Sequence, residues 1–268
     1  MNGSSLPAAL LQAAALLALI LFAAPSQAAV VALFADTAFV DYNPGNSGSE
    51  ASNLQATLVS QGDTVNTFTG TTASDWSTAL TGVNVLVIPE QENGALYPAL
   101  AAGAVTAIQN FVTNGGTLIV GQDYENFLNS MFGWSLATGG NDPYSLTANA
   151  AGTSFAGGPA TLPYNNDTTG FTGLPASATC MYDNTGTCAV FTATYGSGSI
   201  IYLGWDWFDA APTGTQDGGW LSVLNSAVTF NPTAANVQPI PTLGYPALLL
   251  LTLALIGFVA RKRRSLFA

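Results

Sequence analysis

The chain has 268 residues, of which 49% are hydrophobic and only 7% charged, with four Lys+Arg, fifteen Asp+Glu and no His. All four basic residues are Arg261, Lys262, Arg263 and Arg264, and every acid lies between Asp36 and Asp217, so the body is acidic and carries no cation of its own. That excludes a nucleic-acid partner of the usual kind, because nothing in the body neutralises phosphate, and it excludes any mechanism that needs His, Lys or Arg there.

At the N-terminus, Leu6 to Ala24 is apolar apart from Gln12 and leads to Pro25-Ser26-Gln27-Ala28. Small residues at Ser26 and Ala28 fit signal-peptidase cleavage before Ala29, so residues 1–28 read as a signal peptide, with a retained transmembrane helix as the alternative. The body follows, residues 29–230. Val30–Phe34 is a short apolar run ending in Ala35-Asp36 and reads as a buried strand. Ala51, Leu54 and Leu58 recur at helical spacing before Gly62. Thr64–Phe68 alternates as a strand, and Ser74 is placed to cap a short helix carrying Trp76 and Leu80. Val83–Ile88 is a second apolar strand, ending Pro89-Glu90-Gln91-Glu92. Val105, Ile108 and Val112 mark a longer helix before Gly115-Gly116, Thr117–Val120 another strand ending Gly121-Gln122-Asp123, and Phe127, Leu128 and Met131 a short helix.

Short apolar strands alternating with amphipathic helices predict an α/β fold with a doubly wound, mostly parallel sheet covered on both faces. From Gly133 to Ala178 Gly, Thr, Ser, Asn and Pro dominate, which predicts a loop-rich β insertion with two edge strands. Ala189–Tyr195, the turn Gly196-Ser197-Gly198 and Ser199–Gly204 read as a hairpin, and Trp220, Leu221, Leu224 and Val228 as the last helix. Residues 231–239 form a Pro/Ala/Asn linker.

The C-terminal segment, residues 240–268, has three parts. Ile240-Pro241-Thr242-Leu243 is followed by an apolar run through Ala260, and the basic block Arg261–Arg264 comes next. As a helix, Thr242 to Ala260 spans about 28 Å, enough for a bilayer. The positive-inside rule keeps the basic block cytoplasmic and turns the body outward. The three-part arrangement resembles the IPTL-CTERM protein-sorting signal, a relative of the PEP-CTERM tails handled by exosortases. The resemblance implies an exosortase-type processing enzyme as partner. It also implies an inner-membrane protein with a periplasmic body, transferred to the cell surface or secreted once the tail is cleaved. A plain membrane anchor is the alternative.

The body itself resembles the class I glutamine amidotransferase-like fold, including its trehalose-utilisation-like branch. The resemblance is carried by Ile88-Pro89-Glu90, by Asn114-Gly115-Gly116-Thr117-Leu118-Ile119-Val120 and by the late run Gly196 to Asp206. It implies a nucleophilic Cys on a sharp turn after a strand, paired with His. The comparable turn here is Gly121-Gln122-Asp123-Tyr124, without Cys, and the chain has no His, so amidotransferase chemistry is excluded.

Cys180 and Cys188 flank a turn-rich loop in a chain read as exported, which predicts a disulfide. Acids recur at strand ends: Asp36, Glu90 with Glu92, Asp123, and Asp206 with Asp209. In doubly wound sheets that edge is where ligands bind. Asp36, Glu90, Asp123 and Asp206 are therefore candidate ligands for Ca²⁺, which prefers oxygen donors, or an acid/base set for glycoside hydrolysis. The bland alternative is that they cap helices or face water. Trp205, Trp207, Phe208 and Trp220 form either a sugar-stacking platform or part of the core. The sequence thus points to an exported, membrane-tethered or surface-sorted envelope protein with a non-catalytic body. Its expected ligands are carbohydrate, an extracellular-matrix partner or a divalent cation. The alternative is a carboxylate- or metal-dependent hydrolase of envelope or extracellular glycans.

Overall fold

The computed structural model describes residues 28–231 apart from 125, 141 and 142. All but the last residue of the signal peptide, most of the linker, the Ile240–Leu243 motif and the basic block lie outside the described residues. Among the described residues no helix is long and apolar enough to cross a membrane.

The first half alternates as the apolar periodicity predicts: β1 (Val30–Phe34), α1 (Glu50–Ser60), β2 (Thr64–Phe68), α2 (Ala73–Ala79), β3 (Val85–Ile88), α3 (Ala102–Thr113), β4 (Thr117–Val120) and α4 (Phe127–Phe132). The insertion holds β5 (Ala137–Thr138), β6 (Tyr144–Leu146), β7 (Thr161–Leu162) and β8 (Phe171–Thr172), more strands than the two expected. Strands of two or three residues carry no readable period, which is why composition alone gives a loop. β9 (Ala178–Asn184), β10 (Thr187–Tyr195), β11 (Gly198–Leu203) and α5 (Trp220–Val228) complete the body.

One sheet runs β2-β1-β3-β4-β11-β10-β9-β6-β7, with β8 pairing β10 and β5. The pairs from β2 through β11 are parallel; from β11 outward they are antiparallel. Side chains alternate across the parallel strands and build two cores. Val31, Leu33, Val85, Val87, Ile119 and Ile201 face α1 and α5. Ala32, Phe34, Leu86, Ile88, Leu118 and Ile200 face α2, α3 and α4. The sheet is therefore wound on both faces, with β1 flanked by β2 on one side and β3 on the other.

Local chemistry sets the element ends. Thr72, rather than Ser74, caps α2: Asp75 N donates to Thr72 Oγ1 at 3.3 Å, and Thr72 N donates to Asp75 Oδ2 at 2.9 Å. This reciprocal pairing satisfies two N–H groups that the first turn leaves open. Gly198 has no side chain because the Val112 and Gly116 carbonyl oxygens occupy the place of its Cβ. Trp205, Trp207 and Trp220 are buried, with Trp205 stacked on Trp220 at 5.9 Å and against the edge of Trp207 at 4.8 Å. The tryptophans are core, and only Phe208 of that group is exposed.

Cys180 on β9 and Cys188 on β10 form the expected disulfide. The linkage joins adjacent antiparallel strands at an irregularity in their register. Closing so short a loop constrains the unfolded chain by about 2–3 kcal/mol. The double variant Cys180→Ser/Cys188→Ser is expected to lose about that much stability, read as a lower urea midpoint.

Candidate cation site

β1 has β2 on one side and β3 on the other, and in doubly wound sheets the ligand crevice lies at such a switch point, at the carboxyl ends of the strands. Glu50 begins α1 there. The loop leading to it is folded back by Asn43 N, which donates to Ser49 Oγ and Ser52 Oγ, each at 2.7 Å. Ser49 Oγ in turn donates to the Asp41 carbonyl at 2.9 Å. Asn53, one turn into α1, donates to the Ser47 carbonyl at 2.6 Å and the Trp207 carbonyl at 2.9 Å. This second bond ties α1 to the loop after β11, which carries Asp206. Glu90 and Glu92 follow β3. The β4 end passes so close that a Cβ on Gly121 would lie 3.0 Å from Glu90 N.

One carboxylate oxygen from each of Glu50, Glu90 and Glu92 lies within 4.8 Å of the others. Asp206 joins them through a hydrogen bond shared with Glu50, and its Oδ1 also accepts from Phe208 N at 2.7 Å. Glu50 is 3% exposed and Glu90 7%, while Glu92 reaches solvent. No N–H or O–H donates to Oε2 of Glu50 or of Glu90. Their neighbours are other carboxylates, and no Lys, Arg or His exists in the body to neutralise them.

Such a site favours protons or a cation. Burial, followed by the charges of Asp206 and Glu90, pushes the Glu50 carboxyl up to about 10. Burial, with Asp206, Glu92 and Asp167, pushes Glu90 up to about 9. Glu92 is raised by burial and by Asp206 and Asp41. Asp206 is raised by burial, against the hydrogen bonds from Phe208 N and Glu50. Desolvation and like charge act together here, and both disfavour the ionised form. An all-oxygen donor set of this kind suits a hard cation, Ca²⁺ or Mg²⁺.

Of the four acids the sequence singles out, Glu90 and Asp206 come together. Asp36 and Asp123 lie outside the group and serve the backbone. Asp36 accepts from Ala38 N at 3.1 Å and Gly70 N at 3.0 Å, joining the ends of β1 and β2. Asp123 accepts from Phe127 N at 2.7 Å and Leu128 N at 2.8 Å, capping α4. Short turns after strands leave N–H groups open, and a nearby carboxylate satisfies them. Glu50 was the residue missed, because an acid in a first helical turn reads as a partner of the helix dipole. No local sequence pattern marks it: its burial, with that of Ser49 and Ala51 to Leu54, follows from the folded loop that precedes α1.

The turn after β4 is filled by a polar network. Gln122 Nε2 donates to Thr169 Oγ1 at 2.8 Å, to Tyr124 Oη at 3.0 Å and to the Asp167 carbonyl. With both cysteines in the disulfide and no His in the chain, no thiol nucleophile exists.

No protein-family model matches the chain, and no curated protein does. Among solved structures, a ThuA-like protein from Parabacteroides merdae matches at 13% identity and a TM-score of 0.51, covering 81% of this chain and 94% of that one. A ThuA-like protein from Bacteroides uniformis matches at 13% identity and a TM-score of 0.48, over 75% of this chain and 92% of that one. A β-galactosidase from Rahnella sp. R3 matches at 18% identity and a TM-score of 0.46, over 75% of this chain. The chain spans only 30% of that enzyme's length. At these identities the likeness is one of fold alone: the body is a mixed α/β sheet, similar in fold to the Parabacteroides merdae protein.

Proposed function

We propose that the chain is an exported, surface-sorted protein whose amidotransferase-like body is a non-catalytic binding domain for a divalent cation, Ca²⁺ by preference. The observation that carries the binding reading is the Glu50–Glu90–Glu92 group, with ligand oxygens within 4.8 Å of one another and buried oxygens that no donor reaches. Carboxylates in that arrangement are costly to bury without a counter-charge. Ca²⁺ accommodates an irregular set of six to eight oxygens, whereas Mg²⁺ demands near-octahedral geometry and keeps its waters. Calorimetric titration of the full chain with CaCl₂ tests the site. Saturable binding that Glu90→Gln removes is the expected result, and no heat with either ion overturns it.

The export reading rests on the signal-like residues 1–28, the Ile240-Pro241-Thr242-Leu243 motif and the basic block. The position of the site is in keeping with it. α5 returns to the amino ends of the strands, where Val228 and Phe230 lie beside Val85 and Thr117. Phe230, next to the last described residue, thus lies at the edge opposite the acidic group. Intact-mass analysis of the protein from cell-surface and membrane fractions tests the processing. The expected surface form starts at Ala29 and ends near Ile240; a surface form retaining the basic block overturns exosortase-type processing.

A second reading, a glycan hydrolase, is disfavoured by the geometry: Glu50 and Asp206 share a hydrogen bond, whereas the paired carboxyls of glycosidases stand about 5–9.5 Å apart. Release of reducing ends from polysaccharide by the pure protein, lost in Glu50→Gln, would favour it over the non-catalytic reading.

A further inference from the structure

Four large hydrophobic side chains are exposed among the described residues: Val59, Tyr124, Tyr164 and Phe208. Scattered exposure of this kind is ordinary on a protein surface. Here three of the four surround the acidic crevice, and all three are aromatic. Phe208 directly follows the Asp206 loop, and its ring lies against Gly48, two residues before Glu50. Tyr124 sits within electrostatic reach of Glu90. Tyr164 and Tyr124 are joined through Asp167, whose charge acts on both Glu90 and Asp206.

The rings are held in place before any ligand arrives. Tyr124 Oη donates to Asp167 Oδ2 at 3.1 Å, and Tyr164 Oη donates to Asp167 Oδ1 at 3.2 Å. One carboxylate thus fixes two exposed rings. Asp167 is itself fixed from below by Gln122, by Asn166 Nδ2 donating to the Phe208 carbonyl, and by Thr169 N donating to the Gly204 carbonyl at 2.6 Å. Asn166 and Asp167 are consecutive residues at φ +45° and +50°, a left-handed pair that side chains rarely adopt. Folding therefore leaves apolar rings in water while using hydrogen bonds to hold them there. Rings pre-oriented in this way lose little freedom on binding.

We propose that this rim and the acidic centre together bind a neutral saccharide, the cation at Glu50, Glu90 and Glu92 taking a vicinal diol and the rings of Tyr124, Tyr164 and Phe208 the apolar faces of the sugar. The proposal rests on the cation reading given above. A pyranose presents C–H faces that suit aromatic rings and hydroxyl pairs that suit a hard cation's open positions. The charge selects the class further. An acidic body without a single cation repels uronates, phosphates and sulfates, which disfavours acidic sugars.

Affinity electrophoresis of the full chain through gels containing mannan, dextran or a soluble β-glucan tests this, with alginate as the acidic comparison. Retardation by at least one neutral polysaccharide in calcium, absent in chelator, is expected. Phe208→Ala and Tyr164→Ala should each weaken it about tenfold, while leaving calorimetric calcium binding unchanged. Because both residues are exposed, neither variant threatens the fold. Calcium binding without retardation in any neutral gel overturns the saccharide proposal and leaves the cation reading standing. No calcium binding overturns both. Calcium-independent retardation, stronger retardation by alginate, or ring variants that run as the wild type each overturn the proposal as stated.

Discussion

Saturating calcium is expected to raise the melting temperature of the full chain by about 5–15 °C, the largest single effect that the site predicts. Binding to the native state alone stabilises it by about 3–4 kcal/mol when the ligand exceeds its dissociation constant by a hundred to a thousand-fold. A domain of this size gains about 2–4 °C for each kcal/mol. The site favours a shift of that size because its buried oxygens exist only in the folded chain: Glu50 comes from the start of α1, Glu90 and Glu92 from the end of β3, and Asp206 from beyond β11. Glu50→Gln and Glu90→Gln should each abolish most of the shift. Asp36→Asn and Asp123→Asn should keep it while lowering the melting temperature itself, since those carboxylates hold backbone N–H groups. Magnesium should give a smaller shift. Scanning calorimetry with each ion at constant ionic strength decides it, and a calcium shift that survives Glu50→Gln would remove Glu50 from the site.

The contrast among those acids marks where sequence reasoning stops. The strand edge was legible: β1, β3, β4 and β11 all end in polar turns carrying acids, and the apolar runs of Val30–Phe34 and Thr117–Val120 fix both faces of the sheet. Glu90 and Asp206 could be named because strand ends in such a sheet share one edge. Which acids converge depends on loop geometry that local spacing does not encode. Asp123 sits as close to its strand end as Glu90 does, yet α4 begins soon enough for its carboxylate to cap the helix. Glu50 lies fourteen residues past Asp36 in sequence, and only the folded loop held by Asn43 and Ser49 returns it to the crevice. The tryptophans were legible as one of two readings: Trp205 and Trp207 flank Asp206 as core or as a sugar platform, and the structure makes them core, packed with Trp220. The ring that does reach solvent is Phe208, one residue further on.

In calcium-free buffer the protein should become less stable as pH rises from about 5 to about 8, the opposite of ordinary acid unfolding. The ordinary carboxyl value for Glu is 4.5, and the native protein raises Glu50 to about 10 and Glu90 to about 9. Between these limits the unfolded chain has released protons that the native chain keeps. The native state then binds more protons than the unfolded state, so stability falls with rising pH, by up to about 1.4 kcal/mol per pH unit for each proton retained. The contribution is complete below the unfolded value near 4.5 and is lost progressively up to the native values near 9 and 10. Glu92 and Asp206, also raised, act with the same sign. The lowered Asp75 acts in the acid range below its ordinary 3.8, and the raised tyrosines Tyr124 and Tyr182 act only above 10, so neither touches this window. Calcium should cancel the slope, because the cation takes the place of the protons and holds the carboxylates ionised. Its affinity should therefore climb steeply with pH, and the calcium-induced shift in melting temperature should be far larger at about pH 8 than at about pH 5. Glu50→Gln should make the calcium-free slope shallower, since an amide has no proton to release, while Glu90 keeps its share. Melting curves in metal-free buffers across that range, for both proteins, carry the test. A wild-type melting temperature that climbs steadily from about pH 5 to about pH 8 without calcium would mean that the crevice holds ionised carboxylates compensated by something other than protons.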